Sequence, residues 1–96
     1  MTLLETLYRH LKHNELTSSA EHFSVTYLNK SKSWYAVQMH ERREISAAAA
    51  IQCLRTIRAT QANGAFASDQ QRVALSAAAH LLAHHLARQH AVAEVA

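Results

Sequence analysis

The chain has no proline and one glycine in 96 residues. Tight hairpins and sheet turns call for glycine, asparagine or proline at positions of special backbone geometry. Phosphate-cradling loops are glycine-rich as well. A chain almost without glycine and proline fits helices joined by short connections. The expected fold is therefore all-α: a compact bundle of about five helices, residues 1–96 forming a single domain, with a long Ala/Leu-rich helix at the C-terminal end. Hydrophobic residues make up 49% of the sequence, the ordinary globular range. A domain this short buries only part of the surface its unfolded chain exposes, so dimerisation is a natural way to bury more.

The helix starts are written in the sequence. Thr2 with Glu5, Ser18 with Glu21 and Ser68 with Gln71 have capping-box spacing: a hydroxyl accepts the N3 amide and the N3 side chain reaches back. Ser31 and Ser46 read as simple N-caps. The expected helices span 3–13, 19–28, 32–42, 47–62 and 69–91. Leu3, Leu4, Leu7 and Leu11 form the stripe of the first. Phe23 and Tyr27 share a face of the second, Tyr35 and Met39 of the third. Ala47, Ala50, Ile51, Leu54 and Ile57 line the fourth. Asn29 and Gly64 are placed to end helices in the left-handed conformation. The fifth helix is apolar around much of its circumference, so it is either central to the fold or shared between subunits. The expectation is a homodimer through residues 68–91, with Leu75, Ala78, Leu82 and Leu86 at the seam; the competing arrangement clamps this helix inside its own monomer. Residues 92–96 are expected to fray.

Cys53, the single cysteine, lies on an apolar helix stripe and reads as a small buried hydrophobe. No stretch approaches the roughly 20 apolar residues of a membrane span, and the N-terminus lacks a basic region followed by an apolar run. A cytoplasmic protein without membrane contact is expected. Net charge is +3 with histidines neutral, and it is unevenly spread. Lys30, Lys32, Arg42, Arg43, Arg55 and Arg58 face only Glu41 and Glu44 in the middle of the chain, giving +4 there against −1 for the rest. That is the footprint phosphate contact requires; a solvated helix face is the alternative.

The most specific arrangement lies in residues 18–58. A capped short helix passes through Asn29-Lys30-Ser31 into a second helix, then through Glu41-Arg42-Arg43-Glu44-Ile45-Ser46 into a third. Phe23-Ser24 forms an apolar-plus-small pair, and Asn29 stands where a turn glycine is usual. This order resembles the helix-turn-helix of Cro and phage repressors. The run FSVTYLNKSKSWY from Phe23 to Tyr35 is also similar to an FSxxYLxKSxSxY signature in small bacterial and phage proteins. The sequence departs from the repressor pattern in its longer turn, its missing glycine, Gln38 at a usual core position and the bulk of Trp34.

The resemblance implies a small sequence-specific DNA-binding transcriptional regulator. A helix fits the major groove, and short side chains near its N-terminus reach base edges. Lys30, Lys32 and Ser33 would meet phosphate there, Trp34 and Val37 would lie on the groove-facing helix, and Arg42 and Arg43 would reach the backbone from its far end. In a dimer, two such helices would sit about 34 Å apart. The alternative is a helical protein-interaction module, an anti-activator or inhibitor of a host or phage protein complex, docking through an exposed apolar or basic face.

Eight histidines are many for this length. His80 and His84 are four apart and His10 and His13 three apart, spacings that place each pair on one helix face. No third ligand follows at matching spacing, so neither a metal site nor any other cofactor is expected. A histidine cluster near a dimer seam would make assembly pH-dependent. There is no glycine-rich phosphate loop, nucleophile elbow, close carboxylate pair or Cys-His signature, and no enzymatic role is expected.

Overall fold

A computed structural model describes the backbone of residues 1–90 and the side chains of residues 1–88. Every regular element among them is helical. In order they are α1 (Leu3–His13), α2 (Ala20–His22) running directly into a π-helical turn (Phe23–Tyr27), α3 (Trp34–His40), α4 (Ala47–Ala62) and α5 (Asp69–His90). The expected end of α5 at residue 91 and the expected fraying of 92–96 lie outside the described residues.

The caps largely follow the sequence. Thr2 Oγ1 accepts the Glu5 amide at 3.2 Å, Ser46 Oγ the Ala49 amide at 3.2 Å and Ser68 Oγ the Gln71 amide at 3.2 Å. Each satisfies an amide that the first turn leaves without a helical partner. The second cap falls one residue later than expected: Ser19, not Ser18, accepts the His22 amide at 3.1 Å. Glu5 does not complete its box but pairs with Arg9 at 3.2 Å. Gln71 does reach back, accepting the Ala67 amide at 2.7 Å, while its amide nitrogen donates to the Asn14 and Glu15 carbonyls at 3.1 and 3.3 Å. With His10 Nε2 donating to the Ala74 carbonyl at 2.9 Å, these bonds tie α1 to the first turns of α5.

Two elements differ from expectation. The helix expected over 19–28 widens to π geometry at Phe23. The Ser24 hydroxyl donates to the Ala20 carbonyl at 2.9 Å, competing for the acceptor an α-helix gives to the Ser24 amide. The helix expected over 32–42 is confined to Trp34–His40 and has no side-chain cap of its own. Ser31, the expected cap, offers only its carbonyl, to the Trp34 amide at 3.1 Å. The capping acceptor comes from the neighbouring element instead: Ser24 Oγ takes the Tyr35 amide at 3.0 Å.

Three α-helices share one exit. The residue after the cap is left-handed: Glu15 (φ 60) after α1, Arg42 (φ 55) after α3 and Gly64 (φ 62) after α4. In each case the next amide folds back onto the helix, Leu16 to the Leu11 carbonyl at 2.9 Å, Arg43 to Gln38 at 3.0 Å and Ala65 to Thr60 at 3.0 Å. This is the Schellman arrangement. Asn29 (φ 54) gives the π turn a comparable exit.

The core joins Leu4, Leu7 and Leu11 of α1, Phe23 and Tyr27 of the π turn, Leu28, Tyr35, Ile45, and Ala49, Ala50, Cys53, Leu54 and Ile57 of α4. α5 adds Leu75, Ala78, Leu82 and Leu86. The pairing of α4 with α5 is the most extensive among the described elements, and alanines on both helices let their backbones approach. The expectation that Leu75, Ala78, Leu82 and Leu86 form a subunit seam is therefore corrected. All four are at most 1% exposed within the single chain, because the bundle needs them to close its interior. The radius of gyration, 12.6 Å, is that of one compact domain of about 100 residues.

Candidate nucleic-acid interface

α3 is a two-sided element. Its inner side is fixed by Tyr35, whose ring lies 4.7 Å from that of Tyr8 on α1 and meets Phe23 edge-on at 5.7 Å between centroids. Tyr8 also lies 5.5 Å from Phe23. Such tilted arrangements match the negative face of one ring to the positive edge of the next. Burial, reinforced by the Glu5 carboxylate, pushes the Tyr35 phenol up to about 12, so it stays neutral. Trp34 is half-buried against the same core, with Met39. The structure thus gives Trp34 an anchoring place, not the outward one expected; its bulk suits an apolar surface better than a groove.

The outer side carries Ser33, Ala36, Val37 and His40, all exposed and spaced as one helical stripe. Val37 is 44% exposed. Ala36 and His40 belong to this stripe although no motif in the sequence singles them out. Once Tyr35 is assigned to the core, the 3.6-residue period puts both on the opposite side, so periodicity alone could have found them.

Cations flank the stripe. Lys30 and Lys32 are exposed in the connection before α3, Arg42 and Arg43 in the turn after it. The left-handed turn at Arg42 places the two arginines at the helix exit. Arg43 pairs with Glu41 at 2.6 Å, a surface interaction of small energetic weight. Glu44 is engaged elsewhere: it accepts the Ile45 amide at 3.0 Å and the Leu3 amide, at the start of α1, at 3.4 Å. Among the described residues no ion pair engages Lys30, Lys32 or Arg42. Arg55 and Arg58, three apart on α4, are exposed as well. Of the expected DNA-facing residues, then, Lys30, Lys32, Ser33, Val37, Arg42 and Arg43 are exposed along one short segment, and Trp34 is set apart from them.

Two other polar groupings are structural. Thr17, buried, places its hydroxyl 2.6 Å from His22 Nδ1 beside a shallow pocket of about 470 Å³, pinning the connection between α1 and α2. Cys53 is fully buried and its thiol is pushed up to about 12 by burial, which keeps it from the thiolate form that reacts or binds metal.

A family model describing a family of unknown function matches residues 4–96 of the chain. No curated protein and no solved structure matches it.

Proposed function

The chain belongs to the family DUF6626, whose function is unknown, so its role has to be argued from its own surface, and we propose that it is a small DNA-binding regulator of the helix-turn-helix kind, binding through the outer side of α3 and its two flanking connections. The observation that carries this reading is the stripe Ser33, Ala36, Val37 and His40, exposed between cations at both ends. Serine and histidine hydrogen-bond base edges, and small apolar side chains meet the thymine methyl group. Lys30, Lys32, Arg42 and Arg43 are placed for the phosphates on either side, which position a protein on the duplex without reading sequence. Ser24 supports the reading because it fixes the start of α3 against the π turn by a buried bond, giving the stripe a rigid base.

The test is selection of bound duplexes from a random DNA pool, followed by titration of the selected duplex between about 50 and 200 mM salt. Binding should weaken with salt. Replacing Arg42 and Arg43 together by alanine should weaken it further and reduce the log–log salt slope by roughly 0.9 for each phosphate that is no longer neutralised. Changing Val37 or His40 should relax preference at single base positions while leaving that slope alone. If no duplex shows salt-sensitive binding, this reading fails, and an exposed mixed stripe with basic ends is left as a docking face for a protein.

A further inference from the structure

α5 has a second face that the bundle does not use. Opposite its buried stripe, Val73, Ala77, His80, His84 and Ala87 are all exposed, and they recur at intervals of four and three. That is the spacing of a helix-pairing seam. The apolar content of this seam is low: one valine, 53% exposed, and two alanines. Its centre is instead two imidazoles one turn apart, with ring planes 12° from parallel and centroids 6.4 Å apart.

Two exposed histidines at i and i+4 share one helix face, and rotation about their side-chain bonds can turn a ring nitrogen of each toward one cation. Imidazole suits zinc, copper and nickel, and zinc takes four ligands in a tetrahedron, with Zn–N near 2.0–2.1 Å. Among the described residues no cluster of three or more histidine, cysteine, aspartate or glutamate side chains could hold a metal, so one chain supplies half a site. We propose that His80 and His84 are that half, and that the same pair on a second copy of the chain completes a four-imidazole site for a divalent transition metal ion. The ion then joins two α5 helices face to face. The neighbours fit this occupant. Ala77 and Ala87 leave room for a second helix backbone, Asp69, at the far end of the helix, is paired with Arg72 at 2.7 Å, and Arg88 stands a turn beyond His84. The third and fourth ligands that one chain lacks come, by symmetry, from the second copy. Nothing in this depends on the DNA reading.

The experiment uses the full chain without nucleic acid, in chelator and then with added zinc, followed by sedimentation and calorimetric titration. Zinc should double the mass from 10.7 kDa and bind at one ion per two chains. His80→Ala and His84→Ala should each abolish both effects, while His13→Ala, on the exposed end of α1, should leave them intact. All three are surface changes to a good helix former, and circular dichroism verifies their fold. A chain that stays monomeric in zinc, an equal dimer in chelator, or a zinc dimer that survives both α5 substitutions would each overturn the proposal.

Discussion

Ser24 is completely buried and spends its hydroxyl on two elements at once, donating to the Ala20 carbonyl and accepting the Tyr35 amide. Ser24→Ala would leave a buried amide without a partner, which costs about 1–3 kcal/mol. In a domain of this size that lowers the melting temperature by several degrees at least, at roughly 4–8 °C per kcal/mol. Calorimetry checks this; an unchanged melting temperature would mean α3 holds without the bond. A second residue-scale expectation concerns alkaline pH. Burial pushes Cys53 and Tyr35 up to about 12 and raises Tyr27, next to Cys53. In the unfolded chain these groups ionise from their ordinary values of 9.0 and 10.0. Between those values and about 12 the folded chain holds more protons, so stability is fully present below about pH 9 and falls as pH rises toward 12. Cys53→Ala should flatten the early part of that decline in urea titrations run from about pH 8 upward. An equally steep decline in the variant would contradict burial of the thiol.

Among the elements, the helix exits hold untapped stability. A non-glycine residue in the left-handed region costs about 1–2 kcal/mol, and Glu15 and Arg42 both adopt it. Arg42→Gly should therefore keep or raise the unfolding free energy from urea titration, by up to about 1 kcal/mol after glycine's own entropy, while Arg42→Ala should not. If Arg42 binds phosphate, both variants lose DNA affinity equally, which separates the turn from the charge. The exits also show what the sequence declared. Gly64 and Asn29 announce left-handed turns because those residue types tolerate them, whereas nothing in a glutamate or an arginine does. Those two turns are imposed by the Schellman bonds around them. α1 and α4 were legible to the residue because a hydroxyl cap precedes a clear apolar stripe. The π turn and the short α3 were not, since the first goes with the Ser24 hydroxyl taking the Ala20 carbonyl and the second with Ser24 meeting a segment eleven residues away. The lysines and arginines beside α3 were legible as exposed because charge alone keeps them in water. Trp34 was not, because its side follows from where Tyr35 is anchored.

At the scale of the whole molecule, α5 is the element whose role the sequence left most open. Leucine and alanine ring so much of it that the sequence allows its leucine face either a closed core or a subunit seam, and packing against α4 and α1 decides between them. Leu82→Ala tests that decision. In the closed core it should cost about 2–5 kcal/mol and lower the melting temperature by the same amount at every protein concentration. A seam residue would instead give a shift that shrinks on concentrating the sample. That loss is a large fraction of the roughly 5–15 kcal/mol typical of a folded domain, so the bundle has little slack on this side. Trp34, finally, is the chain's single indole, half-covered at the root of α3 and one residue from the outward stripe. Its emission colour and quenching by iodide therefore respond to whatever comes to rest on that helix, and the molecule carries a label-free optical gauge of occupancy at the place where its surface is most informative.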